Sequence, residues 1–191
     1  MILGITGGTG SGKTTLLKLL SEYGYTVLDC DAIYHDLLKT DKNMLSAIEV
    51  RFPGTVTDGV LDRKKLGTVV FADPTALQDL NTITHSAVKA EILRLLTQEN
   101  TAIDAIGLFE GGLAELCDIT VAVTAPEELR IQRLIARDGI TEEYARARIS
   151  AQRSQEEFAK LCHYTLVNDS TEAVFREKCL AFFLDRGIIK A

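Results

Sequence analysis

The 191 residues carry 27 acidic against 21 basic side chains, a formal charge of -6, and 46% are hydrophobic. That length and apolar content suffice for one α/β domain with a small insertion, whereas the acidic balance argues against a nucleic-acid partner, whose phosphates call for a basic face. The four cysteines, Cys30, Cys117, Cys162 and Cys179, show neither CxxC pairing nor metal-ligand spacing and read as core thiols of a reducing, cytoplasmic compartment.

Met1 to Thr6 is a short apolar run that opens into glycines, as expected of a buried parallel strand leading into a loop. It is too short for a signal peptide or a membrane span and lacks a basic leader, so no membrane partner is expected. Lys13 to Tyr23 follows as a helix that turns Leu16, Leu17, Leu19 and Leu20 to the sheet and stops at Gly24. Thr26 to Asp29 reads as a second strand, which puts Asp31 at a strand's carboxyl end, where open α/β sheets bind ligands.

From Ala32 to about Glu99 helical periodicity prevails, punctuated by Pro53-Gly54, Asp58-Gly59 and Asp73-Pro74, with Asp62 as N-cap of a helix through Phe71. Thr101 to Ile106 and Ile119 to Thr124 suit central parallel strands, joined through Phe109-Glu110-Gly111-Gly112. Pro126 opens a helix over Glu127 to Arg137, Asp138-Gly139 breaks it, and Thr141-Glu142-Glu143 starts another running to about Leu161. Tyr164 to Val167 is the last strand, and Thr171 to Phe183 a closing helix with Ala173, Val174, Cys179, Leu180 and Phe183 inward.

The loop Gly7-Gly8-Thr9-Gly10-Ser11-Gly12-Lys13-Thr14 matches G-x-x-x-x-G-K-[ST] between a strand and a helix. Glycines there let backbone N–H groups converge on phosphate oxygens, and the helix N-terminus adds its dipole. Gly8, Thr9, Gly10, Ser11, Gly12, Lys13, Thr14 and Thr15 are therefore the expected contacts to ATP. Lys13 should reach the β- and γ-phosphates, and the Thr14 hydroxyl a magnesium ion.

Asp31 either orients or deprotonates an acceptor hydroxyl or merely caps the next helix. Asp104, within an apolar strand candidate, would contact magnesium through water or, were the strand to start late, lie on the surface. Arg130, Arg133 and Arg137, followed by Arg146, Arg148 and Arg153, suggest a cationic flap over ATP, with Arg137 beside the glycine break as first choice, although each alone also fits a solvated helix face. His85 fits a local hydrogen-bonding or core role better than catalysis, and His35 and His163 carry less signal.

Taken in order, Thr6 through Thr15, Asp29-Cys30-Asp31-Ala32, Leu61-Asp62-Arg63, Phe109-Glu110 and Arg137-Asp138 resemble dephospho-coenzyme A kinase over nearly the whole chain. The resemblance implies ATP-dependent phosphorylation of the ribose 3′-hydroxyl of dephospho-coenzyme A, with Asp31 as the base or hydroxyl-orienting group. It also implies one P-loop kinase domain over 1–191: a three-layer α/β core with a parallel sheet (1–31, 100–136 and 161–191), a helical acceptor-binding insertion (32–99) and a lid (137–160). Asn168, by the same resemblance, belongs near the ATP base, although a strand-end turn explains it nearly as well.

Departures from the family pattern are Asp104-Ala105-Ile106-Gly107-Leu108-Phe109-Glu110, which lacks a proline and a leucine, His85-Ser86 for a His-Pro pair, and Gln155 where a lid arginine often stands. The rival readings are another small-molecule kinase, acting on a nucleotide or sugar, and a non-catalytic nucleotide-binding regulator. A monomer or weak homo-oligomer is expected.

Overall fold

The computed structural model describes residues 1–96 and 100–190, so the 97–99 end of the expected insertion and residue 191 of the expected core lie outside the described residues. In chain order the elements are β1 (Ile2–Thr6), α1 (Lys13–Glu22), β2 (Thr26–Asp29), α2 (Cys30–Thr40), α3 (Lys42–Arg51), β3 (Val56–Thr57), β4 (Val60–Leu61), α4 (Arg63–Val70) and α5 (Pro74–Leu95). They continue as β5 (Thr101–Asp104), β6 (Ile119–Thr124), α6 (Glu127–Asp138), α7 (Glu142–Ser150), α8 (Gln155–Leu161), β7 (Tyr164–Val167) and α9 (Glu172–Asp185). Among the described residues, Met1–Leu28, 100–109 and 113–190 form one compact unit, and Asp29–Leu96 with Glu110–Gly112 another.

A five-stranded sheet in the order β2-β5-β1-β6-β7 organises the first unit, with β1 parallel to both β5 and β6, and β6 parallel to β7. Central strands of a parallel sheet are covered on both faces and must be apolar throughout. β1 and β6 meet that condition, being buried after their first residue, whereas edge strands β2 and β7 have a single buried residue each. Within β1 a side chain at Gly4 would stand 2.8 Å from both Cys117 Sγ and a Leu108 methyl, so the strand needs glycine there for packing. With helices on the sheet, the fold is three-layer α/β. Leu16, Leu19 and Leu20 of α1 and Phe175, Cys179 and Phe183 of α9 share one core with Leu3, Ile5, Val121 and Val123. Each large side chain so buried contributes about 1.5–3 kcal/mol.

The closing helix differs from expectation in its inner face. Phe175, Cys179 and Phe183, spaced four apart, point inward, whereas Ala173 and Val174 are exposed and Leu180 is only half-buried. β5 ends at Asp104 rather than at residue 106, so Asp104 closes the strand instead of sitting within it. The long helix expected to reach about Leu161 is two helices. Ser154 starts the second with a reciprocal cap, its Oγ accepting from Glu157 N at 3.2 Å and its own N–H donating to Glu157 Oε2 at 2.9 Å.

The second unit is helical, with Leu38, Met44, Leu45, Ile48, Phe52, Leu66, Val70 and Ala76 in its core. Asp62 caps α4 as expected, and Asp73 caps α5 with Pro74 in its first turn. A two-stranded ribbon, β3 against β4, interrupts the helical run. Its turn is Asp58-Gly59, both at positive φ (50° and 76°), the mirror-image turn that suits hairpin twist. Strands of two residues are too short for alternation to register.

Burial pushes the thiols of Cys117 and Cys179 up to about 12 and that of Cys162 to about 11, from an ordinary value of 9.0. A group whose folded value is raised contributes stability that is fully present below the unfolded value and is lost as pH rises through the folded one. Thermal stability is thus expected to hold up to about pH 9 and to fall across the interval towards pH 12. At pH 8 these three thiols should resist alkylation, read by mass at each cysteine, until the protein is unfolded. Rapid alkylation in the native state would contradict this burial.

Candidate functional site

β1 leads directly into the glycine loop, and the loop into α1. Gly7, Gly10 and Gly12 hold φ of 135°, 75° and 102°, a region that side chains rarely adopt. Space is equally restrictive: a β-carbon would run into the Val123 carbonyl at Gly7, the Arg130 backbone at Gly10 and the Asn168 amide at Gly12. The start of α1 has no side-chain cap, its N-cap being Gly12, and no acidic residue in its first turn. An uncapped helix N-terminus below a glycine nest is suited to an anion.

Lys13 is the first residue of α1, and its Nζ donates to the Gly7 carbonyl at 2.8 Å, arching back along the loop. Three donors on the ammonium allow that contact and a phosphate contact together. Thr14 is exposed beside it. Asp104 stands at the end of β5, beside Ile5 of β1 in the register. Among the described residues no group of three or more His, Cys, Asp or Glu gathers to hold a metal ion.

α6 reaches the loop with two arginines. Arg130, 3% exposed, donates from Nε to the Thr9 carbonyl at 2.8 Å. Arg133 donates from Nη1 to the Gly10 and Ser11 carbonyls, each at 3.3 Å, and from Nη2 to Asn168 Oδ1 at 3.0 Å. Asn168, itself buried just beyond β7, donates from Nδ2 to the Ser11 carbonyl at 2.8 Å and from its backbone to Thr124 O at 2.7 Å. Both ends of its amide are thus engaged in holding the loop. It also lines, with Gly12, Thr15, Leu129, Arg133 and Thr171, a cleft of about 660 Å³ alongside the loop.

Arg137, at the end of α6, is held elsewhere. Its Nε and Nη2 bond the Asp138 carboxylate at 2.6 and 3.0 Å, and Arg148 Nη1 joins the same carboxylate at 2.7 Å. Arg137 first and Arg148 second hold the Asp138 carboxyl down at about 2. Arg146 is bonded to Glu142 and Glu128. Two glutamines reach inward instead, Gln152 between α7 and α8 and Gln155 at the start of α8: Gln152 Oε1 accepts from Thr9 N at 2.8 Å, and Gln155 Oε1 from Ala125 N at 2.6 Å.

In the second unit Asp31 lies in the first turn of α2 and is not its cap. Asp29 has that role, its Oδ1 accepting from Asp31 N at 2.9 Å and Ala32 N at 3.0 Å. The same unit contains a cleft of about 470 Å³ lined by Asn81, His85, Ser86, Lys89 and Glu110 among others.

A strand, glycine nest and uncapped helix with a lysine at its start, inside a three-layer parallel α/β sheet, define a P-loop nucleotide-binding protein. A family model for dephospho-CoA kinase matches residues 1–173, and the chain belongs to that family. Membership makes it an ATP-dependent kinase of coenzyme A biosynthesis. The dephospho-CoA kinase of Mesorhizobium japonicum is 40% identical over 172 residues, which cover 87% of this chain and 86% of that one. A solved Thermus thermophilus protein superposes with a TM-score of 0.82 at 34% identity, covering 97% of each chain. The dephospho-CoA kinase of Campylobacter jejuni does so with 0.69 at 25%, covering 98% of each.

The sequence named Arg130 and Arg133 only as members of an arginine set and gave Gln152 no role in the loop. A helix-face reading would have separated Arg130, because it falls in register with Ile131 and Leu134, the other buried residues of α6.

Proposed function

We propose that the chain phosphorylates the ribose 3′-hydroxyl of dephospho-CoA at the expense of ATP. The acceptor oxygen attacks the γ-phosphorus in line, the bond from that phosphorus to the β–γ bridging oxygen breaks, and ADP departs with that oxygen. Asp31 takes the hydroxyl proton and returns it to solvent. Lys13 and the loop amides from Gly8 to Thr15 bind the phosphates. Thr14 and Asp104 are the residues that would hold magnesium, which offsets phosphate charge when bound. Fitness for a polyphosphate rests on the uncapped start of α1 and on glycines whose β-carbons would fill the nest.

The cleft beside Asn168 is the seat proposed for the adenine, and the cleft around His85 and Lys89 that for part of the acceptor. Arg137 and the α7–α8 segment form the proposed lid. To face the nucleotide, Arg137 exchanges Asp138 for phosphate, a substitution of one charged hydrogen bond for another. The reading includes a cytoplasmic location, a monomer or weak homo-oligomer, and no nucleic-acid partner, supported by the free cysteines and the charge of -6. Among the described residues no helix is long and apolar enough to cross a membrane.

The observation that supports this reading best is the formed phosphate loop in a chain matched by the family over 1–173. Its test is ATP consumption with magnesium, offering dephospho-CoA, adenosine, nucleoside monophosphates or gluconate, with mass detection of the product. Turnover confined to dephospho-CoA is expected. ATP binding without turnover on any acceptor would favour a regulator instead.

A further inference from the structure

We propose that Arg130 donates to the terminal phosphoryl group of the bound nucleotide, and that Gln152 Oε1 holds the place of a phosphoryl oxygen until the nucleotide enters. The inference rests on the reading of the loop as an ATP site but not on the identity of the acceptor.

Arg130 is buried, yet its Nη2 has no hydrogen-bond partner. Leaving a buried guanidinium N–H unmet is unfavourable, so its placement is not explained by folding alone. Burial also draws the guanidinium below its usual range, a condition that an anion alongside would relieve.

Gly8 supplies an independent observation. Its φ lies outside the positive region of the other loop glycines, so the backbone there does not demand glycine. Instead Arg130 Nη2 stands where a β-carbon would go and would have to move for one, and Gln152 Oε1 lies 3.1 Å from the same point. Gln152 Oε1 also accepts from Thr9 N at 2.8 Å. An acceptor oxygen therefore already stands on a loop amide beside the unmet Arg130 donor. The neutral amide oxygen bonds Thr9 N but not Nη2. A charged phosphoryl oxygen in its place would bond both, and more strongly. Gln152 lies between α7 and α8, so its displacement passes nucleotide entry on to that segment.

Calorimetric titration of the full chain with magnesium-ATP and magnesium-ADP, without acceptor, tests both parts. Arg130→Gln is expected to weaken ATP by about tenfold while ADP stays within about twofold, as for loss of one charged hydrogen bond to the terminal group. Equal weakening of ATP and ADP would reduce Arg130 to a support of the loop and overturn the first part. Should Arg130→Gln fail to fold, Gly8→Ala, which evicts the guanidinium while leaving Arg130 in the sequence, is expected to lose the same ATP-over-ADP preference; retention of that preference overturns it. Gln152→Ala is expected to bind ATP a few-fold tighter, since the competing oxygen is gone. Unchanged or weaker ATP binding by Gln152→Ala overturns the second part.

Discussion

Lys13→Ala is expected to lower kcat by about 1000-fold, the upper end for removal of a preorganised charge at a reacting group. The ammonium is fixed at both ends: its backbone begins α1, and its Nζ is tied to the Gly7 carbonyl. In the proposed transfer, charge shifts towards the β–γ bridging oxygen as the phosphoryl group leaves, so a lysine at that oxygen would bind the transition state more tightly than ATP, and kcat should fall further than ATP affinity. Lys13→Arg should not rescue, because a planar fork does not reproduce a compact ammonium arching over Gly7. The loop conformation is set by Gly7, Gly10 and Gly12, so the melting temperature should change little. Single-turnover rates and ATP titration of the folded variant are the measurements. A kcat within tenfold of the parent would remove Lys13 from the transition state.

What the sequence disclosed of this machinery follows from how local each feature is. The glycine loop is contiguous, its conformation is encoded by residues lacking a β-carbon, and its flanking strand and helix are marked by an apolar run and by four leucines on one face. The strands β2, β6 and β7 match the expected bounds. The β3–β4 ribbon escaped notice because two residues per strand give no period, although Asp58-Gly59 is a hairpin signal. The split of α7 from α8 was written in Ser154-Gln155-Glu156-Glu157, a capping-box sequence, but helical periodicity on both sides concealed it.

Long-range contacts were less legible. Thr9 bonds Gln152 from 143 positions away, and Asn168 bonds Ser11 from 157 away. No spacing rule connects such residues, so Asn168 could be placed only by resemblance, whereas its geometry is that of a clamp on the loop. Proximity to a glycine break singles out Arg137 in the sequence, yet Asp138, its neighbour there, engages its guanidinium in the structure. Arg133 and Arg130, one and two turns earlier, are the arginines on the loop carbonyls. A helix displays its residues in all directions, and only burial selects among them.

Asp31→Asn is expected to cut turnover by about 100-fold or more while leaving ATP affinity nearly unchanged, because a general base typically contributes about 100- to 10,000-fold and does not bind the nucleotide. The geometry of α2 makes the test clean. A capping aspartate would confound stability with chemistry, but the cap is Asp29, and Asp31 is an exposed residue of the first turn. The amide variant is isosteric and should alter stability by no more than about 0.5 kcal/mol, as at other surface sites. Asp29→Ala provides the opposite case: it removes an oxygen that accepts from two backbone N–H groups and should cost about 1 kcal/mol of stability. Turnover and thermal melting measured on both variants separate the roles. Loss of turnover at Asp31 without loss of stability assigns the proton transfer to its carboxylate, whereas an Asp31→Asn enzyme as fast as the parent would leave the acceptor hydroxyl to lose its proton without a protein base.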